Sequence, residues 1–299
     1  MSTPNAAVTG TGTADHDAWP APAKLNLFLH ITGRRADGYH NLQTVFQFLD
    51  YADELAFQPR SDSRVTLAGN DPAIPADRDL AVRAAHALQA ETGTGLGVDI
   101  RLHKRLPIGG GVGGGSSNAA TTLVALDWLW GLGLGTERLA RLGLGLGADV
   151  PVFVYGRAAW AEGVGEVLTP VEPAEDWYVV ANPGVHLSTA EVFNAPDLTR
   201  NSPAITIRDF LGGAGRNDCE ALVRRTCPEV DRLISWMEAY APARLTGTGS
   251  CVFCRFDDAQ QANELVANLP QPWQGFVARG RNRSPLLDKL DRVTRAAAG

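Results

Sequence analysis

The chain has 299 residues, of which 44% are hydrophobic and 20% charged, and its formal net charge is −6. The length allows one large domain or two ordinary ones, and the composition is that of a globular protein. Because 33 acids outnumber 27 bases, the balance argues against nucleic acid as a partner. A small anionic ligand remains compatible, since local dipoles and a few bases can bind one.

The N-terminal stretch and the cysteines bear on the cellular compartment. Residues 1–18 have no basic start and no apolar core, so we expect a disordered tail and not a signal peptide. No run of 18 apolar residues occurs, so we expect no membrane span. The cysteines are too few for a disulfide scaffold, and a cytoplasmic protein with free thiols is predicted. The pair Cys251 and Cys254 spells CxxC, but we interpret both as core residues.

Hydrophobic periodicity predicts a mixture of strands and helices. Strands are predicted at 23–32 (half-buried), 42–51, 53–60, 97–107, 150–156, 158–171, 177–184, 243–256 and 275–285. Helices are predicted at 77–93, 116–131, 136–149, 188–196, 229–242 and 259–270, with Thr136 as the N-cap of one and residues 116–118 able to cap another. The absence of a strict βαβ alternation favours an α+β fold.

The most unusual stretch is RLPIGGGVGGGSSNAAT at 105–121, where six glycines fall within seven positions before a predicted helix. Glycine loses much backbone entropy on folding, so such a cluster needs a physical reason. Amides at a helix start lack intrahelical partners, and the helix dipole leaves partial positive charge there. A loop without Cβ atoms can bring further N–H groups against an anion. We therefore predict a polyphosphate site at 109–117, with a flexible linker or tight turn as the alternative.

Two familiar nucleotide-binding loops fit this stretch poorly. A Walker A loop requires a lysine followed by Ser or Thr after its glycines, and no lysine follows here. Residues 109–114 satisfy GxGxxG, yet that motif normally follows a continuously apolar strand, whereas the strand before this loop alternates. A dinucleotide-binding protein therefore stays open as an alternative.

The glycine loop, read as PxGGGxGGGSSNAATxLxAL from Pro107, resembles the central motif of the GHMP kinases. PAKLNLFLHITGRRADGYHNL at 22–42 and LTGTGSCVF at 245–253 are similar to two further motifs of that superfamily. With GADVPVF at 147–153 and AEGVGEVLTPV at 161–171, they resemble the branch that phosphorylates the 2-hydroxyl of a cytidine-diphosphate-linked methylerythritol. That reaction belongs to the non-mevalonate route to isoprenoid precursors. A GHMP kinase with a homoserine- or mevalonate-like substrate is the alternative.

The resemblance implies an α+β fold of two domains with the active site in the cleft between them. The expected units are an ATP-binding domain at 19–158 and a substrate domain at 159–270. A C-terminal segment at 271–299 is expected to pack back on the first domain. The resemblance also implies a small-molecule substrate with a cytidine diphosphate group, and neither nucleic acid nor membrane as a partner. It leaves the oligomeric state open.

The resemblance also assigns the ATP site and the catalytic pair. The phosphates of ATP, accompanied by Mg²⁺, are expected at Pro107, Ile108, Gly109, Gly110, Gly111, Val112, Gly113, Gly114, Gly115, Ser116 and Ser117. Lys24 and Asp149 match the catalytic lysine and aspartate. Asp149 either accepts the proton of the substrate hydroxyl or acts as an electrostatic partner, and both roles stay open. The sequence shows no separate acidic cluster for the metal, whose ligands are unassigned.

Five residues match substrate contacts of the same branch: Asn26, Tyr39, His40, Thr189 and Phe193. Asn26 shares a strand face with the catalytic lysine, so both can reach one site. The resemblance implies that His40 hydrogen-bonds the cytosine, that Tyr39 lies near it, and that Phe193 stacks on the base. Ordinary core packing is the alternative for Phe193. Where the family often has Asn near the adenine, this chain has Asp79, which replaces N–H donors by a charge and leaves that contact open.

Overall fold

The computed structural model describes residues 18–72 and 74–299. The tail predicted at residues 1–18 thus lies outside the described residues, apart from Ala18. The strands of the described residues are Trp19–Arg34 (β1), His40–Arg60 (β2), Val65–Ala68 (β3), Gly97–His103 (β4), Ala159–Glu162 (β5), Val167–Pro170 (β6), Trp177–Asn182 (β7), Ala243–Leu245 (β8), Val252–Phe256 (β9) and Gln274–Arg281 (β10). The α-helices are Leu80–Thr92 (α1), Gly114–Leu129 (α2), Thr136–Leu144 (α3), Val150–Tyr155 (α4), Thr189–Asn194 (α5), Ile207–Leu211 (α6), Glu220–Thr226 (α7), Pro228–Met237 (α8), Ala259–Ala267 (α9) and Pro285–Ala298 (α10).

β2 is one continuous strand of 21 residues, so the prediction of two strands at 42–51 and 53–60 is wrong. Its neighbours explain the continuity. β1 and β5 pair with its first part, β10 pairs with it at Phe48 and Leu49, and β4 pairs with it over 54–60. Backbone groups along the strand thus find partners where the sequence alone indicated a break.

β1 is buried on both faces, which corrects the prediction of a half-buried strand. Leu25 and Leu27 pack in an apolar cluster with Trp160. The opposite, polar face carries Lys24 and Asn26, which are only 3% and 4% exposed. This polar face forms a wall of a cleft and is itself almost fully buried.

α4 replaces the strand predicted at 150–156. Pro151 lies in the first turn of the helix, where its missing N–H is not needed. Gly156 ends the helix in the left-handed conformation, with a φ of 61°. The apolar side chains of α4 pack against α2 and α3, and this burial outweighs the strand propensity of its valines.

Glycines precede both helices that follow the glycine-rich stretches. The N-cap of α2 is Gly113, and the N-cap of α3 is Gly135 instead of the predicted Thr136. Neither helix start has a side-chain cap, so residues 116–118 do not cap α2 as predicted but lie within it. The first amides of α2 are therefore not blocked by a capping side chain.

One mixed sheet runs through both halves of the chain. In the second half the strand order is β10–β7–β9–β8, and α8 and α9 pack on these strands. β10 pairs with β7 over Gln274–Arg279 and continues to β2 at Gly280 and Arg281. β3 runs parallel to β4, and the other strand pairs are antiparallel. The architecture confirms the predicted α+β class.

The predicted units at 19–158, 159–270 and 271–299 stay predictions. β5, just beyond the first of these boundaries, pairs with β2 of the N-terminal half. α10, in the last unit, packs on β1 and α2. None of the helices formed by residues 18–72 and 74–299 has both the length and the apolar character needed to cross a bilayer.

Candidate active site in the cleft

A cavity of about 690 Å³ lies where the two halves of the chain meet. One side is formed by the polar face of β1, the glycine loop at 107–113 and the start of α2. The other side is formed by residues 186–189, Phe193 and the turn at 247–249. The volume is within the range of small-molecule sites, and both halves of the chain contribute to it.

Lys24 and Asp149 meet in this cavity. The ammonium nitrogen of Lys24 lies 3.3 Å from Oδ2 of Asp149. It also donates to the side-chain oxygen of Asn26 at 2.5 Å and to the carbonyl of Gly111 at 3.1 Å. Asp149 precedes α4 without capping it, so its carboxylate is free to face the lysine. A buried cation needs such partners, and the half-exposed carboxylate is the one that ligands can reach.

Asn26 holds the lysine in place through a chain of hydrogen bonds. Its side-chain nitrogen donates to Oγ1 of Thr44 at 3.0 Å, and its backbone N–H donates to Oγ1 of Thr246 at 3.0 Å. Asn26 lines the cavity, but both polar atoms of its side chain already have partners within the protein. This geometry favours a role in orienting Lys24, while the predicted contact with substrate stays a prediction.

Glycines are required in the loop for two reasons: some have positive φ values, and some lie too close to neighbouring atoms to carry a Cβ. Gly109, Gly111 and Gly113 all have positive φ values, between 66° and 77°, a conformation that disfavours other residues. A Cβ on Gly110 would lie 2.5 Å from the sulfur of Cys251, and one on Gly111 would lie 2.3 Å from the Thr246 carbonyl oxygen. The loop is therefore held directly against the turn of the other half of the chain.

Backbone hydrogen bonds hold the glycine loop to Cys251, just after the turn at 246–250, and to β1. The N–H of Cys251 donates to the carbonyl of Gly110 at 3.1 Å, and the N–H of Lys24 donates to the carbonyl of Val112 at 3.0 Å. Burial raises the pKa of the Cys251 thiol to about 12, so this cysteine is a packing residue and not a thiolate. Cys254 is also free and buried, which confirms the interpretation of the CxxC pair as core residues.

Most of the predicted phosphate-site residues line the cavity. These are Pro107, Ile108, Gly109, Gly110, Gly111, Gly113, Gly114, Gly115 and Ser116. Val112 instead packs in an apolar cluster, and Ser117 is fully buried with an unpartnered hydroxyl. These two residues support the loop from behind, and their assignment to ATP stays a prediction.

A charged network behind the loop was not predicted from the sequence. Asp53 is fully buried and accepts hydrogen bonds from the backbone N–H groups of Arg105 and Leu106 at 2.7 and 2.8 Å. It also pairs with Lys104 at 2.5 Å. Asn118 of α2, with its amide oriented to satisfy its neighbours, donates to the same carboxylate at 3.1 Å. Lys104 lines the cavity beside the start of α2 and adds a cation there.

Another cavity residue that the sequence did not indicate is His186, three residues before Thr189. A Cβ on Gly109 would lie 2.1 Å from its Nδ1, so the ring rests directly on the glycine loop. Only the fold brings this segment to the loop, since His186 and Gly109 lie 77 positions apart in the chain. The sequence predicted a strand at 177–184 and a helix at 188–196, but neither prediction gives this contact.

His40, a predicted base-binding residue, is not among the residues that line the cavity, but it packs against Phe193, which is. The rings of His40 and Phe193 stack at 5.3 Å with an interplanar angle of 23°. Phe193 and Thr189 line the cavity, and Oγ1 of Thr189 is 3.1 Å from Oγ1 of Thr248. Burial lowers the pKa of His40 below its ordinary value of 6.5. Tyr39 is 65% exposed, and the structure does not bring it to this stacked pair.

Asp79, where the family often has Asn, is accommodated as a helix cap. It is the N-cap of α1, and its carboxylate accepts a hydrogen bond from the N–H of Ala81 at 2.8 Å. Asp and Asn both cap helices well, so the exchange preserves this local structure. Asp79 also lines the cavity, where a ligand would meet a carboxylate instead of an amide.

Comparison with known proteins agrees with this geometry. The model of the GHMP kinases N terminal domain matches residues 79–157, and that of the GHMP kinases C terminal domain matches residues 197–275. A 4-diphosphocytidyl-2-C-methyl-D-erythritol kinase of Nitrosococcus oceani is 56% identical over 92% of this chain and 98% of its own length. One of the same name from Alkalilimnicola ehrlichii is 58% identical over 91% of this chain and 94% of its own.

A solved structure shares the architecture as well. The crystal structure of a 4-(cytidine 5'-diphospho)-2C-methyl-D-erythritol kinase superposes with a TM-score of 0.77 and 33% identity. The match covers 88% of this chain and 98% of that one. Identity at these levels over nearly the whole length, together with the two domain matches, leads to one conclusion. This chain belongs to the GHMP kinase family.

Proposed function

We propose that this chain transfers the γ-phosphate of ATP to the 2-hydroxyl of 4-diphosphocytidyl-2-C-methyl-D-erythritol, a step in the non-mevalonate route to isoprenoid precursors. The observation that carries this proposal is the Lys24–Asp149 pair, 3.3 Å apart, in a cavity bordered by the glycine loop. The names of the two relatives and of the solved structure support the choice of substrate. The glycine loop supports ATP as the phosphate donor.

ATP is placed with its phosphates over the glycine loop and the start of α2. The uncapped amides of α2 and the positive end of its dipole attract the anion there. Lys104 adds a point charge on the same side of the cavity. Together these groups hold the γ-phosphate toward the catalytic pair, since Gly111 of the loop also accepts a hydrogen bond from Lys24.

In the reaction, the substrate hydroxyl oxygen forms a bond to the γ-phosphorus, and the bond from that phosphorus to the β–γ bridging oxygen breaks. ADP leaves, and the hydroxyl proton passes to the carboxylate of Asp149. Lys24 keeps that carboxylate oriented and stabilises the negative charge on the transferring group. Because the transition state of phosphoryl transfer is loose, the proton leaves late, and positioning by both residues contributes much of the rate.

The substrate is placed with its cytosine beside Phe193 and its methylerythritol end at Asp149. Stacking on Phe193 and a hydrogen bond from His40 hold the base. Thr189 lies on the same wall, and Asn26 orients Lys24 at the reacting end. Tyr39 is placed near the base by family resemblance alone, and reaching it requires movement of its surface loop.

Mg²⁺ is proposed to enter bound to ATP. It prefers oxygen ligands and is usually held by one or two carboxylates together with substrate phosphates. Within residues 18–72 and 74–299, no group of three or more His, Cys, Asp or Glu residues forms a ready metal site. Asp149 and Ser116 are among the oxygen-bearing side chains that line the cavity and fit this mode of binding. When bound, the metal neutralises charge on the phosphates.

The test is a coupled assay of ADP release with and without the cytidyl substrate. We expect ADP to form at a rate that depends on this substrate, and the product to carry one new phosphate monoester by ³¹P NMR. ADP formation with homoserine or mevalonate, and none with the cytidyl substrate, would support the other metabolite kinases of the family instead. Absence of substrate-dependent ADP with all three would refute kinase activity of this type.

A further inference from the structure

Arg200 links the stacked rings of His40 and Phe193. Its Nε donates to Nε2 of His40 at 3.0 Å. Its terminal nitrogens donate to the carbonyls of Phe193 and Ala195 at 2.8 and 2.6 Å, and to that of Leu198 at 3.1 Å. One side chain therefore bonds both to the ring at the start of β2 and to the backbone at the end of α5 and just after it.

The chemistry of these partners determines which ring nitrogen of His40 carries the proton. A guanidinium has only N–H donors and does not deprotonate in proteins. Nε2 of His40 must therefore accept through its lone pair, and the neutral ring must carry its proton on Nδ1. Burial lowers the pKa of His40, and the charges of Arg200 and Arg34 lower it further, so the ring is neutral at pH 7.

We infer that Arg200 is a positioning residue that holds His40 in its Nδ1–H form, so that the ring meets the pyrimidine as a single hydrogen-bond donor. This inference rests on the proposed function, which places a cytosine beside the stacked pair. Cytosine offers two acceptors on its pairing edge, N3 and O2, and an Nδ1–H group suits either. The opposite tautomer would present a lone pair at Nδ1 and could bind neither of them.

Arg200 also fixes the partner ring. The carbonyls that it binds belong to the last residues of α5 and to the segment just after it, where helix carbonyls lack intrahelical partners. Phe193 is one of these residues, and its ring stacks on His40. The same guanidinium therefore sets the tautomer of one ring and the position of the other, which are the two requirements for holding a base.

The experiment compares Arg200→Met and Arg200→Lys with a control, Arg225→Met. Arg225 pairs with Asp197 in the same segment but is not bonded to His40, so its loss loosens the segment without changing the tautomer. The readouts are the tautomer of His40, from ¹H–¹⁵N correlation spectra of ¹⁵N-histidine protein, and separate KM values for ATP and for the cytidyl substrate. The spectra do not depend on turnover.

We expect the wild type to show His40 protonated at Nδ1, and Arg200→Met to show a mixture of tautomers. The KM for the cytidyl substrate should rise about tenfold in Arg200→Met, the effect of one lost charged hydrogen bond. The KM for ATP should change by less than about twofold, because Arg200 bonds to His40 and to the backbone at 193–198 and not to the glycine loop where ATP is proposed to bind. Arg200→Lys should keep the tautomer, since an ammonium can also donate to Nε2, with an intermediate KM.

A wild-type spectrum with the proton on Nε2 would overturn the inference, as would an unchanged KM in a folded Arg200→Met protein. An equal rise in KM in Arg225→Met would show that Arg200 only tethers the segment. If Arg200→Met does not fold, the wild-type spectrum and Arg200→Lys still decide. A wild type that does not phosphorylate the cytidyl substrate would refute the proposed function, while the tautomer would remain measurable.

Discussion

Replacing Gly111 by alanine tests how tightly the glycine loop is held against the other half of the chain. A Cβ there would lie 2.3 Å from the carbonyl oxygen of Thr246 and 3.0 Å from that of Gly249, whereas ordinary contact begins at 3.4 Å. The loop or the turn must therefore move by about 1 Å. Displacement on that scale can lower the rate of an enzyme about 100-fold.

Gly133→Ala is the matched control for this substitution. Gly133 also has a positive φ, 64°, but a Cβ on it would meet nothing within 4 Å. The left-handed conformation alone costs alanine about 1 to 2 kcal/mol. At Gly111 the overlap adds about 1 to 3 kcal/mol, so we expect a total loss of about 2 to 5 kcal/mol.

Urea denaturation measures the two losses of stability, and the coupled ADP assay measures kcat/KM for both substrates. We expect Gly111→Ala to lose about 100-fold in kcat/KM, and Gly133→Ala to retain nearly full activity. If folded Gly111→Ala keeps kcat/KM within about threefold of the wild type, then the contact between loop and turn does not position the phosphates.

Three further predictions concern the residues around the cavity. Asp149→Ala should lower kcat at least 100-fold while ATP still binds by calorimetry; near-normal turnover would show that its assigned role is wrong. His186→Ala should raise the KM for at least one of the two substrates, ATP and the cytidyl substrate, about threefold to tenfold, because the His186 ring rests on the glycine loop at Gly109. Unchanged KM values for both substrates would contradict this. Because burial lowers the pKa of His40 below 6.5, the unfolded chain binds its proton at a higher pH than the folded chain does. Stability should therefore fall as pH drops from about 7 to 5, and less so in His40→Asn; equal pH dependence of unfolding in both proteins would count against it.

Local patterns were sufficient for the elements whose burial follows from their own sequence. The alternation in β4, the short apolar run of β7 and the apolar spacing in α8 predicted the correct type of element. α4 shows the opposite case: its valines favour a strand, but the groove between α2 and α3 buries them as a helix. β2 was divided at Ala52 because no local signal shows that β4 pairs with its second half.

Only the site residues that belong to a recognisable motif could be predicted from the sequence. Lys24 and Asp149 lie 125 positions apart, and only the family resemblance indicated that they meet. Their 3.3 Å contact agrees with that expectation. His186 and Arg200 were missed because their partners, the glycine loop and His40, are distant in sequence. A lone histidine in a loop or a lone arginine after a helix carries no pattern of its own.

The junction of β10 with β2 limits how this enzyme can move. Two antiparallel pairs, Gly280 with Leu49 and Arg281 with Phe48, join the strands of the two halves into one continuous sheet. A motion that separates β10 from β2 would break these two pairs and expose their backbone polar groups, which is energetically costly. We therefore expect this junction to oppose wide separation of the two halves.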